Sequence, residues 1–420
     1  MCSVLKSSFI YFLLLAVTGV SAQSVKTLSL QDALKAARNN NLQLKAAKFN
    51  INIAEADVVT ASLRPNLQLN NQSLQMMASD HYKANTQWYN PANRQVWWQL
   101  TKTLQIAGQR ANKIDFAQKN TDVNKAGYAE TERAMFADVA TKWLEVWNAQ
   151  RNLKMINYAR QNVDSVVIIN KVRLNNQVVT ETDFYRTQLL SKQYTLQYTT
   201  AKQELNNKVK ELMLALGTTD SISVKNDEVF PPAVTQSFKE LLDQASKERT
   251  DLKLAVSQMA ASESNIKLQK SMAIPQPQAG LIYNPQNTVP YAGIYVTIDL
   301  PFFDRNQGEI KKSQYLKQQA EQQYTAVQQQ VNTELSTAYN SYRTQQQNIE
   351  GYKAVLKQSS DILSNVKYAY LKGGTTVIDF LEAQRSWLDV QQQYNDALYL
   401  YHQSYIQLLY STGLINNMTQ

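Results

Sequence analysis

The chain has 420 residues but only 11 glycines and 9 prolines, less than half of the usual combined share of about 12%. This scarcity of turn-forming residues excludes a turn-rich β-sandwich, a collagen and a Pro/Gly-rich disordered chain. Charged residues make up 18% of the chain and the formal net charge is +9. The basic residues are dispersed rather than clustered, so we expect no nucleic-acid partner.

The N-terminal residues 1–22 have the layout of a secretory signal peptide. Lys6 precedes an apolar run over residues 9–17, and small residues follow at 19–22. The alternative is a membrane anchor, which is disfavoured because the apolar run is short for a bilayer. Cleavage removes Cys2, the only cysteine, so we expect neither disulfides nor thiolate chemistry in the mature chain.

An internal repeat is the strongest pattern in the sequence. Residues 180–217 match residues 376–413 at a constant offset of 196, with identical pairs such as Asp183 and Asp379. The repeat predicts the following division after the signal peptide: a first structural repeat over 23–217, a linker over 218–236, a second repeat over 237–413 and a C-terminal tail over 414–420.

Each repeat is predicted to contain the same succession of elements. A helix of about 30 residues precedes two strands, and a long helix and a returning helix follow them. Prolines are absent from 92–230 and 302–420, which leaves room for the long helices. The predicted element bounds are, for the first helices, 29–62 and 238–272; for the strands, about 66–77, 94–106, 276–284 and 291–303; and for the long helices, 108–172 and 304–370.

The last helix carries a seven-residue apolar repeat. Its members are Phe380, Trp387, Tyr394, Tyr401 and Leu408. A period of seven keeps one stripe of the helix against a neighbouring helix, so it predicts left-handed coiled packing.

The predicted strands alternate between apolar and polar residues. Val96, Trp98 and Leu100 share one parity, whereas Gln99 and Thr101 share the other. Such alternation predicts strands with one apolar and one polar face. Because a strand of this kind suits a bilayer-spanning barrel, the fold class is predicted to be mainly α with a transmembrane β-barrel portion.

Aromatic residues are concentrated in and between these strands. Two interpretations are open: an aromatic-rich sheet on a soluble core, or the aromatic girdle of an outer-membrane barrel. The export signal and the alternation in both repeats favour the girdle. Its predicted members are Trp88, Trp97, Trp98, Tyr291 and Tyr295.

The duplicated plan behind a signal peptide resembles the TolC family of outer-membrane efflux channels. The most specific matching segments are 30–34 (LQDAL), 108–110 (GQR) and 370–374 (YLKGG), the last of which leads into 379–384 (DFLEAQ). Residues 300–308 (LPFFDRNQG) resemble the CzcC-like branch of that family, whose members serve heavy-metal efflux.

The resemblance implies a homotrimer in the outer membrane. Four strands from each chain form one twelve-stranded β-barrel, which a trimeric α-barrel continues across the periplasm. Independently of the family, four strands are too few to close a barrel, so their exposed edges require partners. The implied function is passive conduction of substrates, with heavy-metal cations as candidates. The implied partners are a periplasmic adaptor, an inner-membrane pump of the RND type and outer-membrane lipid.

The resemblance also assigns the helix–helix turns to the periplasmic tip that contacts the adaptor. The tip residues it implies are Arg173, Leu174, Asn175, Leu371, Gly373 and Gly374. The first turn has Gln177 and Val178 where the second has two glycines, so the sequence leaves the geometry of the first turn open.

Acidic residues beyond the turns match the positions that line the constriction of the tunnel in the family. They are Asp183, Asp379 and Glu382. The alternative role is helix capping, because Thr180 and Thr376 each precede an aspartate by three residues. Capping is favoured for Asp183, and a gate role for Asp379 with Glu382, since three copies would form a ring of carboxylates that attracts cations.

Catalytic and metal-binding patterns are weak in this chain. His81 and His402 are the only histidines, and adjacent methionines at 76 and 77 would point to opposite faces of a strand. We therefore predict no enzyme activity, no cofactor and no metal site. The competing function is a soluble periplasmic coiled-coil adaptor or scaffold, which explains the long helices but not the amphipathic strands.

Overall fold

The computed structural model describes residues 25–225, 234–285 and 289–419. The predicted signal peptide, with Cys2, and residues 226–233 of the predicted linker therefore lie outside the described residues. The elements are, in chain order, β1 (Lys26–Leu28), α1 (Leu30–Asn40), α2 (Leu42–Ser62), β2 (Leu67–Gln75), β3 (Arg94–Thr103), α3 (Gln109–Asn175), α4 (Glu181–Leu216), β4 (Ile222–Val224), α5 (Phe238–Glu248), α6 (Thr250–Met272), β5 (Gln278–Asn284), β6 (Tyr291–Thr297), α7 (Gln307–Lys372) and α8 (Val377–Thr412).

Most of the chain is helical, and α3 and α7 are its longest elements, with 67 and 66 residues. Both lie in tracts without proline, so no missing backbone N–H interrupts them. Across 25–225, 234–285 and 289–419, no helix has the length and apolarity needed to cross a membrane.

The first predicted helix of each repeat is in fact two helices. The break between α1 and α2 falls at Asn41, whose backbone leaves the helical conformation (ψ 122°) and whose side-chain amide donates to the Ala215 carbonyl. The break between α5 and α6 falls at Arg249 (ψ 125°), whose buried guanidinium pairs with Asp251. Neither break contains a proline or a glycine, so no residue type in the sequence marked the end of one helix and the start of the next.

One compact unit comprises the described residues within 1–42, 133–245 and 334–420, and it has two buried clusters. The first surrounds Trp143, whose indole N–H donates to the Leu28 carbonyl at 3.1 Å. The second surrounds Val163 and Phe380. In both clusters the buried residues recur at helical spacing, so each helix contributes one apolar stripe.

Gly217 ends α4 in this unit with a left-handed φ of 65°. A Cβ there would lie 2.5 Å from the Asn40 carbonyl oxygen. Both the backbone angle and the close approach of the end of α1 therefore require glycine.

The second compact unit comprises residues 43–132 and 246–333 and contains a four-stranded antiparallel sheet. Its strand order is β2-β3-β5-β6. The central pairing of β3 with β5 joins the two repeats, with Leu100 opposite Leu281 and Trp98 opposite Tyr283. Within the described residues, β2 and β6 pair on one side only.

The register of this sheet separates two faces. Leu69, Leu100, Leu281 and Ile294 lie side by side on one face, and all four are exposed. The opposite face is polar, and in the described strands none of its paired residues is charged. It carries the amides and hydroxyls of Gln68, Asn70, Gln72, Gln99, Thr101, Thr103, Gln278 and Thr297.

Three strands are shorter than predicted at their C-terminal ends. β2 ends at Gln75 rather than near residue 77. β6 ends at Thr297 rather than near residue 303, and the Phe302 N–H bonds to the Leu300 carbonyl beside Pro301, which has no N–H to donate. β3 ends at Thr103 rather than near residue 106, opposite Gln278, where its partner β5 begins. Ala107 then takes a left-handed φ of 54° before α3.

Candidate functional site

The turn between α3 and α4 has the hydrogen bonds of a Schellman motif. The Val178 N–H bonds to the Arg173 carbonyl at 2.8 Å, and the Gln177 N–H bonds to the Leu174 carbonyl at 2.9 Å. Gln177 has a φ of 57°, the left-handed conformation that this motif requires after the helix.

The turn between α7 and α8 has the same geometry. The Gly374 N–H bonds to the Ala369 carbonyl at 2.8 Å, the Gly373 N–H bonds to the Tyr370 carbonyl at 3.1 Å, and Gly373 has a φ of 80°. Gln177 thus takes the conformation that glycine takes in the second repeat. The geometry that the sequence left open for the first turn is therefore that of the second, with a side chain where the second has none.

Arg173 connects the two turns. One guanidinium nitrogen donates to the Leu371 carbonyl at 2.9 Å and the other to the Tyr370 carbonyl at 3.3 Å. The guanidinium also lies 5.1 Å from the centre of the Tyr370 ring. The last carbonyls of a helix have no partner within it and carry partial negative charge, so a cation is favourable at the end of α7.

A buried polar network joins the same helices behind Arg173. The Tyr370 hydroxyl donates to the Asn170 side-chain oxygen at 2.5 Å, and the Asn170 amide donates to the Thr187 hydroxyl at 3.0 Å. The Tyr370 ring stacks on Phe380, with ring centres 5.7 Å apart. These contacts bring α3, α4, α7 and α8 together just behind the two turns.

The predicted tip residues lie around this link and most of them are accessible. Asn175, Leu371, Gly373 and Gly374 are exposed, whereas Arg173 and Leu174 are half-buried. The structure therefore places the six residues on two adjoining turns and leaves Asn175, Leu371 and the two glycines exposed.

Asp379 is held by the N-terminus of α8. Its Oδ2 accepts hydrogen bonds from the Thr375 and Thr376 hydroxyls, both at 2.6 Å, and from the Thr376 N–H at 3.0 Å. These hydrogen bonds hold the pKa of the Asp379 carboxyl below its ordinary value. With Thr376 it forms the reciprocal capping box, so Asp379 has the capping role that the spacing indicated.

The other two predicted constriction residues differ from each other. The Asp183 carboxylate accepts from the Thr180 hydroxyl at 2.8 Å and lies 3.7 Å from Arg186. Glu382 is exposed, and no residue within the described part of the chain forms an ion pair with it. Glu382 is thus the acidic group that neither a cap nor a cation neutralises.

The predicted aromatic residues divide between the faces of the sheet. Trp98 lies on the apolar face, whereas Trp97, Tyr291 and Tyr295 lie on the polar face. Trp88 is exposed in the segment between β2 and β3, and its carbonyl accepts from the Gln75 amide. The register therefore does not bring the five aromatic residues to one surface.

The network behind the turns was not predicted from the sequence. Asn170 lies on the buried stripe of α3 with Val163 and Val166, and an amide at such a position is a signal of a buried hydrogen bond. Thr187 and Tyr370 were its unrecognised partners. No three His, Cys, Asp or Glu side chains within the described ranges are arranged to hold a metal ion.

Comparisons with known proteins agree with this architecture. The family model described as outer membrane efflux protein matches residues 33–218 and 241–414. The chain is 22% identical over 383 residues to the cobalt-zinc-cadmium resistance protein CzcC of Cupriavidus metallidurans, covering 87% of this chain and 85% of that protein. It is 22% identical over 324 residues to the outer membrane protein TolC of Vibrio cholerae, covering 72% of this chain and 73% of that protein.

The fold is shared with solved outer-membrane channels. The crystal structure of the Campylobacter jejuni CmeC outer membrane channel superposes with a TM-score of 0.74 at 16% identity, covering 91% of this chain and 85% of that chain. The family model accounts for most of the described helices and for all four strands of the sheet. This chain belongs to the outer membrane efflux protein family.

Proposed function

We propose that this protein is the outer-membrane channel of a tripartite efflux system and conducts substrates passively from the periplasm to the exterior. In this role it is not an enzyme, and an inner-membrane pump of the RND type supplies the energy. The observation that carries the proposal is the four-stranded sheet, which has one exposed and mainly apolar face and, within the described residues, two edges without a partner strand. A soluble scaffold has no use for such a sheet.

The sheet edges support a closed oligomer. Unpaired edge strands leave backbone hydrogen-bonding groups without partners, and a narrow barrel needs about eight strands. Pairing of β6 of one chain with β2 of the next satisfies both edges and continues the antiparallel order of the sheet. Three copies give twelve strands and a trimeric α-barrel. The number of copies is the one that the family resemblance implies.

The two faces of the sheet support the orientation of each strand. Lipid contacts the face that carries Leu69, Leu100, Leu281 and Ile294. Trp98 belongs to the lipid-facing girdle with Trp88, whereas Trp97, Tyr291 and Tyr295 face the lumen. The lumen is then lined mainly by uncharged amides, hydroxyls and aromatic rings, which disfavours charge selectivity at this level.

The turns support contact with a periplasmic adaptor. Arg173, Leu174 and Asn175 adjoin Leu371, Gly373 and Gly374, so one compact surface of each chain is available to the partner. The constriction lies within about the first two turns of α4 and α8, where Glu382 supplies the un-neutralised charge. Asp379 and Asp183 position the helix ends there.

Heavy-metal cations are the substrate class that we favour. The support is the similarity to CzcC over 87% of the chain and the CzcC-like segment 300–308. In a strain that lacks the gene, tolerance to cobalt, zinc and cadmium should fall while tolerance to organic dyes stays unchanged. A loss of dye tolerance alone would contradict this substrate class.

The remaining organisation follows the repeat. Residues 1–22 direct export and are cleaved, and 23–217 and 237–413 are the two repeats, with 218–236 between them and 414–420 as the tail. N-terminal sequencing of the mature protein tests the first of these statements, because it should begin at Gln23.

Membrane extraction tests the channel against the scaffold. The channel should resist extraction of membranes with salt and carbonate, dissolve in detergent and have the mass of three chains by light scattering. In planar bilayers it should form ion-conducting pores. Release by carbonate as a monomer would contradict the channel and favour the soluble periplasmic scaffold.

A further inference from the structure

A cavity of about 300 Å³ lies between α3 and α8, away from the two turns. α3 contributes Arg151, Lys154 and Tyr158, and α8 contributes Trp387 and the amides of Gln391 and Asn395. All of these residues belong to one compact unit, so the cavity is formed within it. Nothing in the proposed channel function requires this particular combination of cations and rings.

One end of the cavity is positively charged without compensation. Arg151 donates to the Asn395 side-chain oxygen at 3.4 Å and stands 4.9 Å from the centre of the Trp147 ring, but its Nε is buried without a hydrogen-bond partner. Neither Arg151 nor Lys154 forms an ion pair with any residue that the structure describes. Burial lowers the pKa of Arg151, which is the direction expected where a charge lacks a counter-ion.

The other end of the cavity is aromatic. The Tyr158 and Trp387 rings are 5.3 Å apart and inclined at 56°. The Trp387 indole N–H donates to the Ser360 hydroxyl at 3.1 Å, which fixes the orientation of that ring. Two adjacent rings, of which Trp387 is held in place, next to a cationic end offer a surface for a flat apolar group beside a site for its charge.

We propose that this cavity binds a small aromatic anion, that is, a planar ring bearing a carboxylate. The ring packs against Tyr158 and Trp387, and the carboxylate accepts hydrogen bonds from Arg151 and Lys154. A charged acceptor at a half-buried guanidinium forms stronger hydrogen bonds than a neutral one. An inorganic anion would use the cationic end alone, and an aromatic cation would be repelled there.

Three probes separate these possibilities with the full-length protein in detergent. Benzoate, benzylamine and inorganic phosphate are titrated by isothermal calorimetry at low ionic strength. Benzoate should bind, whereas benzylamine, which has the same ring and the opposite charge, should not. Phosphate should bind at least about tenfold more weakly than benzoate, because it lacks the ring contact and a tenfold difference corresponds to about 1.4 kcal/mol.

Two variants identify the site. Lys154→Gln should weaken benzoate binding about twofold to fivefold, the range of an exposed ion pair. Tyr158→Ala should weaken it about twofold to tenfold by removing one ring. The matched control is Lys171→Gln, an exposed lysine on the same helix outside the cavity, which should leave benzoate affinity unchanged.

Each contrary result overturns the proposal. Absence of benzoate binding at millimolar concentration would mean that the cavity is closed in the assembled protein. Binding of benzylamine as tight as that of benzoate would mean that the negative charge is not recognised. Equally tight binding of phosphate would mean that the ring is not recognised. Unchanged affinity in both Lys154→Gln and Tyr158→Ala, with unchanged thermal unfolding of the variants, would place any bound benzoate elsewhere.

Discussion

The guanidinium of Arg173, near the end of α3, donates a 2.9 Å hydrogen bond to the backbone carbonyl of Leu371, near the end of α7. One side chain from the first repeat thereby satisfies a terminal carbonyl of the second. Because the last carbonyls of a helix lack partners within it, this contact ties the two turns to each other rather than to solvent.

Replacing Arg173 should loosen the second turn. Arg173→Gln removes the charge and the paired contacts with Tyr370 and Leu371, so we expect the unfolding free energy to fall by about 1–2 kcal/mol. Hydrogen exchange at the backbone amides of Gly373 and Gly374 should accelerate. Lys171→Gln, two residues earlier on an exposed position, is the control. Equal exchange in both variants would mean that the link has no energetic weight.

The two Schellman turns predict opposite effects of glycine and alanine. Gln177→Gly should raise the thermal unfolding midpoint, because a left-handed backbone costs a non-glycine residue about 1–2 kcal/mol. Gly373→Ala should lower the midpoint, with a loss of unfolding free energy of similar size. A Cβ at Gly373 meets no atom within 4 Å, so only the backbone angle contributes. A drop in the midpoint for Gln177→Gly would contradict the assigned turn.

Substitutions of Glu382 and Asp379 should have different effects on channel conductance and on block by cations. If Glu382 lines the constriction as proposed, Glu382→Gln raises single-channel conductance and weakens block by trivalent cations in planar bilayers, because the charge ring is removed. Asp379→Asn should affect block less, since three hydrogen bonds already hold the carboxylate of Asp379 at the helix start. Unchanged block in the double variant would exclude a gate role for both.

The cap at Asp379 also predicts a dependence on pH. Hydrogen bonds from Thr375 and Thr376 lower its pKa from the ordinary 3.8, so the ionised form is favoured in the folded protein. The stabilisation is present above about pH 4 and is lost as the pH falls through the folded pKa. Thermal unfolding of wild type and Asp379→Asn should therefore differ above pH 4 and converge only as the pH falls through the lowered pKa of Asp379.

His402 predicts a second pH dependence. Its ring lies 5.0 Å from Trp147, and burial together with the charge of Arg151 lowers its pKa from 6.5 to about 4. The unfolded chain therefore binds this proton more tightly, so stability is full above pH 6.5 and declines as the pH falls toward 4, by up to about 3 kcal/mol. His402→Phe should flatten this decline in denaturant titrations, whereas the exposed His81→Asn should not.

Neighbouring residues of β3 test the two faces of the sheet in the proposed barrel. Gln99→Lys adds a positive charge to the uncharged polar face and should shift the reversal potential in a salt gradient toward anions. Leu100→Lys places the same charge on the apolar face, at a cost of about 2–4 kcal/mol near the bilayer centre, and should reduce membrane assembly. The same outcome for both variants would contradict the assignment of faces.

Local sequence patterns predicted many elements of the fold. Alternation over 94–103 identifies the faces of β3, because successive side chains of a strand point to opposite sides. Thr376 three residues before Asp379 indicates the capping box, because those two residues are brought together by one turn of helix. These inferences need only the period of the backbone, which a sequence records directly.

The tertiary structure decided what depends on distant segments. The contact of Tyr370 with Asn170 spans 200 residues, and the break at Asn41 is completed by the Ala215 carbonyl from another helix. Gln177 takes a left-handed angle that its residue type does not favour. The sequence thus determined the periodic elements and their caps, whereas the links between the turns and the cavity at Arg151 exist only because packing places residues from different helices within hydrogen-bond distance.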